Sequence, residues 1–163
     1  MGWQPGTFSG RCSRFWEMEW SISTIVVGVD GSEGSQRAAE HGAAIARHWN
    51  AKLELVTVVR TPEGWWGIGG APPSPEALST ALIEGQQKIL QDTVDHLDLD
   101  GIEFDTVEEL GDPVGRLLAV CETNQADLLV IGRRGAGLAE RVILGSTADR
   151  LTHLAPCPVL VVP

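Results

Sequence analysis

Five short runs of mostly β-branched and leucine residues are separated by four longer stretches, three of them clearly helical in period, and this alternation constrains the fold more than any other feature of the chain. The runs are residues 24–29, 53–59, 103–108, 128–131 and 159–162. Residues 24–29 lack strict polar alternation, as expected of a strand covered on both faces, and residues 128–131 read the same way. Residues 103–108 do alternate, which suits a sheet-edge strand with one face in water. Between the runs, Ser32 or Ser35 is placed to cap a first helix carrying Ala38, Gly42, Ile45, Ala46 and Trp49 on one stripe, with Asn50 closing it. Ser74 and Pro75 start a second helix, expected to run to about Leu97 with a drifting apolar face of Leu78, Leu82, Ile89, Leu90, Val94 and Leu97. Gly111-Asp112-Pro113 starts a third that turns Val114, Leu117, Leu118 and Cys121 inward, and residues 146–154 form a fourth. Strictly alternating strands and helices predict a doubly wound α/β fold, an open parallel sheet with helices on both faces. In such sheets ligands bind beyond the carboxyl ends of the strands, where the winding direction reverses.

A chain of 163 residues, 43% hydrophobic, with no apolar run near ~18 residues, is expected to form one globular domain without a membrane span. Its net charge of −10 disfavours nucleic acid and anionic lipid as partners. That charge is unevenly placed. Residues 1–60 carry six basic and six acidic side chains and residues 111–163 five of each, so the excess lies in residues 61–110, where Lys88 stands against eleven carboxylates. Cys12, Cys121 and Cys157 are too scattered for a disulfide framework or a zinc site, which fits a reducing cytoplasm, and Cys121 reads as a small core residue. Residues 1–20 hold Trp3, Phe8, Phe15, Trp16 and Trp20 without a periodic pattern or a signal-peptide core, and are expected to be an extension outside a domain at 21–163. They read either as a poorly specified tail ahead of Met18 or as an aromatic arm that docks on a surface.

The loop after the fourth run reads Gly132-Arg133-Arg134-Gly135-Ala136-Gly137, and Gly145-Ser146-Thr147 opens the following helix. Glycines admit an oxyanion close to the backbone, and the amides and dipole of a helix start favour negative charge, so this layout suits phosphate. The competing account is that the glycines only permit tight turns and Ser146 only caps a helix. Neither a G-x-x-x-x-G-K-[ST] string nor a G-x-G-x-x-G after the first strand occurs.

The spacing Gly132-x2-Gly135-x9-Gly145-Ser146, set between an A-D-L-L-V-I strand and a C-P-V-L-V-V strand, closely resembles the ATP-binding branch of the universal stress protein family. Val27-Gly28-Val29-Asp30-Gly31-Ser32, Val56-Thr57-Val58 and Gly111-Asp112-Pro113 carry the resemblance further, over residues 24–163. It implies a Rossmann-like sheet of the adenine nucleotide alpha hydrolase kind in the order 3-2-1-4-5, with Asp30 and Gly132 facing each other across the crevice. It also implies adenine contacts at Gly28, Val29 and Val58, and ribose and phosphate contacts at Asp30, Ile131, Gly132, Arg134, Gly135, Gly145, Ser146 and Thr147. Asp30 would accept from ribose hydroxyls or approach a magnesium ion held by the phosphates; the alternative is that it caps the first helix. Arg133, Arg134 and Arg141 depart from the small residues usual there, and either pair with phosphate or stay solvated. The loop with Trp65 and Trp66 is a further departure, read as a lid or a partner surface.

The resulting expectation is a cytoplasmic ATP-binding, nucleotide-dependent stress-response regulator, homodimeric through its last strand. The rivals are an interaction module of the same fold that binds no nucleotide, and a slow ATPase or AMP-forming enzyme using the same crevice. No catalytic residue is assigned, since no positioned base, arginine finger or hydrolase elbow is recognisable. No metal site is assigned either: His41 and His48 share a helix face without a carboxylate at matching spacing, and nothing marks His153 as a base. Replacing Gly132 by a bulky residue, or Gly145 by Val, is expected to abolish ATP binding with the fold intact.

Overall fold

The computed structural model describes residues 21–60, 74–135 and 144–163. These form β1 (Thr24–Val29), α1 (Glu33–Trp49), β2 (Lys52–Val59), α2 (Pro75–His96), β3 (Phe104–Leu110), α3 (Pro113–Thr123), β4 (Leu128–Gly132), α4 (Ser146–Leu154) and β5 (Val159–Val162). All strand pairings are parallel, in the order β3-β2-β1-β4-β5. The chain winds outward from β1 to β3, then returns to lay β4 on the other side of β1. The reversal therefore falls between β1 and β4, as the resemblance implies. The aromatic stretch 1–20 and the Trp65-Trp66 loop lie outside the described residues.

Apolar residues on successive strand positions feed two cores, which is why the central runs show no polar alternation. Ile25, Val27, Leu53, Leu55, Leu128 and Val130 pack toward Ala38, Ala39, Ala43 and Ala46 of α1 and Leu90 of α2. Val26, Val56, Leu129 and Ile131 pack toward Val114, Leu117 and Cys121 of α3 and Leu151 of α4. Burying a Val, Leu or Ile side chain contributes roughly 1.5–3 kcal/mol, so the three central strands hold most of the fold. Leu118 is half-buried against the second core. Cys121 is the small core residue expected: burial pushes its thiol up to about 12, and it stays protonated at neutral pH.

Three local differences from the sequence reading have physical causes. β3 starts at Phe104 and runs two residues past Glu108, because β2 extends to Val59 and offers pairing up to Leu110. Gln86 of α2, a polar residue not expected in a core, is fully buried; its amide Nε2 donates to the carbonyls of Glu109 (2.8 Å) and Thr57 (3.4 Å), tying α2 to both strands. Trp49, expected on the buried stripe, is 42% exposed and meets His48 edge-on; it sits in the last turn of α1, just before Asn50 takes the left-handed conformation that ends the helix.

At the amino ends of the strands, buried Glu54 is satisfied on both oxygens, by Lys52 Nζ (3.1 Å) and by the Asn124 side-chain amide. Lys52 Nζ also reaches Asp105 on β3 at 2.6 Å. The hydrogen bonds that its ammonium donates, first to Asp105 and then to Glu54, raise the Lys52 pKa above its ordinary value. This polar bridge closes the floor of β2 and β3, and the opposite end of the sheet is the open one. No helix among the described residues is long and apolar enough to cross a membrane.

Candidate functional site

Beyond the carboxyl ends of β1, β2 and β4 lies a cavity of about 730 Å³, within the ~300–1,000 Å³ typical of small-molecule sites. The winding reversal creates it, because the loops leaving β1 and β4 depart to opposite faces of the sheet. All eleven residues singled out from the sequence line it. Gly28, Val29 and Asp30 come from the end of β1, Val58 from β2, and Ile131 and Gly132 from β4. Arg134 and Gly135 follow in the glycine loop, and Gly145, Ser146 and Thr147 form the start of α4. Asp30 and Gly132 thus border one crevice.

The glycines are explained by close backbone approach. A Cβ on Gly132 would fall 2.6 Å from the carbonyl carbon of Gly34 and 2.8 Å from its oxygen, so the end of β4 lies directly on the first turn of α1. Neither partner is a movable side chain. The expectation that a bulky residue at Gly132 would spare the fold is therefore corrected: the clash is backbone against backbone. A Cβ on Gly135 would instead fall 2.5 Å from Asp30 Oδ2, a movable side-chain atom.

Asp30 and Ser32 organise the start of α1. Asp30 Oδ1 accepts from the Ser32 amide (3.1 Å) and hydroxyl (2.6 Å), while Ser32 Oγ caps the helix by accepting from the Ser35 amide (3.2 Å). Of the two proposed caps, Ser32 is the one used. Asp30 accordingly serves the helix through one oxygen while its other oxygen lies toward Gly135 in the cavity.

The start of α4 is built differently. Its N-cap residue is Gly145, with no side-chain cap, so Ser146 is a helical residue rather than the cap. The Gly145 amide donates to the Arg133 carbonyl at 2.9 Å, and the Arg133 amide donates to the Val162 carbonyl of β5 at 2.6 Å. The glycine loop is thereby fixed on one side to the last strand and on the other to the fourth helix. A helix start carries about half a positive charge, and here it opens on the cavity with no side-chain acceptor from its cap residue, Gly145.

The sequence reading missed other cavity residues, including Ser35, Arg60, Pro113 and Leu117. Arg60 follows β2 and pairs with Asp112 at 3.1 Å. Asp112 also caps α3 through the Gly115 amide and reaches Arg150 of α4 at 3.6 Å. The available signal was position: Arg60 is the first charged residue beyond the β2 run, on the strand neighbouring β1. Arg141 lies outside the described residues. His41 and His48 are exposed, and no group of three metal-ligating side chains occurs among the described residues. His153 is exposed and 3.9 Å from Asp149 on its own helix.

Among the described residues lining the cavity there is one carboxylate, Asp30, three arginines (Arg60, Arg133 and Arg134), and no histidine, cysteine or lysine. Such a lining pairs an apolar wall (Val29, Val56, Val58, Leu117, Ile131) with an anion-attracting end. It suits binding of a ligand with a flat apolar part and an acidic tail.

Comparison with known proteins agrees with this geometry. The model of the universal stress protein family matches residues 21–163. A universal stress protein of Methanocaldococcus jannaschii is 33% identical over 145 residues, covering 85% of this chain and 80% of the relative. A universal stress protein solved in complex with cAMP is 27% identical with a TM-score of 0.57, covering 87% of this chain and 97% of that one. An Arabidopsis thaliana universal stress protein family member solved with AMP bound shares the fold, at 19% identity and a TM-score of 0.54, over 86% and 90% of the two chains.

Proposed function

The chain belongs to the universal stress protein family, and from that premise we propose that it is an ATP-binding regulator of the cytoplasm, whose nucleotide occupancy sets loop order and partner binding. The observation that carries the reading is the convergence, in one cavity, of an apolar wall at the ends of β1 and β2 with an uncapped helix start at α4. The adenine lies against Gly28, Val29 and Val58. Ribose and phosphates lie toward Asp30, Ile131, Gly132, Arg134, Gly135, Gly145, Ser146 and Thr147. Two relatives in fold were solved with adenine nucleotides, cAMP in one and AMP in the other, which supports the ligand class.

Magnesium fits the donor set only as a companion of the phosphates. Asp30 is the one carboxylate among the described lining residues, and Mg²⁺ bound through one carboxylate takes its other ligands from phosphate oxygens and water. Bound there, the ion would neutralise phosphate charge. β5 is an edge strand with Val159, Leu160 and Val161 only partly buried, and it pairs with the same strand of a second copy. Light scattering at micromolar concentration is expected to return a dimer.

Equilibrium titration with a labelled ATP analogue, with mass analysis of the nucleotide afterwards, tests the reading. Saturable binding with slow or no turnover is expected. No binding of ATP, AMP or cAMP would leave an interaction module of the same fold, and rapid turnover an enzyme.

A further inference from the structure

We propose that Arg133 is the residue by which the cavity ranks nucleotides by the number of their phosphates, its guanidinium meeting the polyphosphate chain at the start of α4. The inference rests on the nucleotide reading above and deepens it, since that reading assigned the phosphates to Arg134, to glycine amides and to the α4 hydroxyls.

Arg133 lines the cavity from a fixed point: its amide is held by the Val162 carbonyl and its own carbonyl by the Gly145 amide. The side chain is half-buried, and its Nε is fully buried with no hydrogen-bond partner. A guanidinium keeps its charge at any working pH, so this donor cannot escape the mismatch by losing a proton. Buried polar groups are nearly always paired, and an unpaired one on a cation is a strong demand for an acceptor. The neighbouring arginine of the cavity, Arg60, has its acceptor in Asp112.

The electrostatics of the lining agree. The described lining carries Arg60, Arg133 and Arg134 against one carboxylate, Asp30, and Arg60 is paired with Asp112, in a chain of net charge −10. Arginines facing a cleft raise the local concentration of anions. The ligand chemistry that meets Arg133 is a chain of phosphoryl oxygens, because each added phosphoryl group brings more charge and more acceptors for a guanidinium. A cyclic monophosphate brings fewer of both.

The test is titration calorimetry with adenosine, AMP, ADP, ATP and cAMP at fixed ionic strength, on the wild-type protein, Arg133→Met and Arg133→Lys, with thermal melts of all three. Wild-type affinity is expected to climb from adenosine to ATP. Arg133→Met should lower ATP affinity about ten- to a hundredfold, the range for losing a hydrogen-bonded charge, while adenosine affinity stays within about twofold. Arg133→Lys should recover part of the ATP affinity, since it restores the charge without the planar fork. Equal ATP affinity in wild type and Arg133→Met would overturn the proposal and leave the nucleotide reading standing. A uniform loss for adenosine and ATP would overturn it in favour of a structural role. Failure of the wild type to bind any adenine nucleotide would overturn both. Should Arg133→Met fail to fold, Arg133→Lys decides: a severalfold loss confined to the phosphorylated ligands supports the proposal, and an unchanged series overturns it.

Discussion

α1 and α4 begin side by side, each just beyond the carboxyl end of one of two adjacent strands, yet their starts are finished in opposite ways. At α1, Ser32, Asp30 and Ser35 form a closed set: the Ser32 hydroxyl takes the Ser35 amide, Asp30 takes the Ser32 amide and hydroxyl, and the Ser35 hydroxyl donates to the Ser32 carbonyl. At α4, Gly145 supplies no side chain at all. Both helices present the same positive end, but in α1 the protein's own carboxylate and hydroxyls answer it, whereas in α4 the cap residue among the described residues offers no side-chain acceptor. The difference teaches that the crevice has a direction, with anion affinity concentrated on the β4–α4 side and a carboxylate on the β1–α1 side.

The comparison can be broken most severely at Gly132, the residue that sets the spacing between the two starts. Gly132→Val should cost about 3 kcal/mol or more of stability, since its Cβ meets the Gly34 backbone; urea unfolding near the wild-type midpoint would show that the two starts are not held together there. Ser32→Ala attacks the closed start alone. It should lose about 1 kcal/mol in the same assay and leave ATP affinity unchanged, and a parallel loss of affinity would mean that α1 also reads the ligand. Gly135→Ala pushes on Asp30 Oδ2, which can rotate away, so stability should fall by less than about 1 kcal/mol while calorimetric affinity for ATP drops severalfold. The smallest stability change is expected from Gly145→Ser, which gives α4 the cap it lacks. The gained cap opposes a Cβ that falls 3.2 Å from the Arg133 carbonyl oxygen, so urea unfolding should show a net change below about 1 kcal/mol, with ATP affinity reduced because the new hydroxyl competes for an amide.

How much of this was legible in the sequence follows from where the information is local. Strand runs and caps are local, so β1, β5 and the α4 boundaries emerged as expected, β4 runs one residue further, to Gly132, and the glycine spacing marked the correct loops. The end of β3 was not local: Glu109 and Leu110 are strand because β2 is there to pair with them. Gln86 looks like a solvated helix residue until two carbonyls from neighbouring strands converge on it. Arg60 and Asp112 are 52 residues apart, and no periodicity announces their ion pair. In the same way the sequence offered Arg133 and Arg134 as equals, and only the clamp from Val162 and Gly145 shows how the first of them is held.

The strand order also has a consequence in time. β1 is made first, yet one of its two neighbours, β4, begins more than a hundred residues later, at Leu128. As the chain leaves the ribosome, β1, α1 and β2 can associate early through contacts close in sequence, whereas the other flank of β1 waits for a distant partner. A nascent chain stalled before Leu128 therefore has an apolar strand edge exposed and no pocket, and the ligand-binding crevice can arise only in the last step of assembly. This places the newly made protein's greatest exposure to misassociation before the crevice exists.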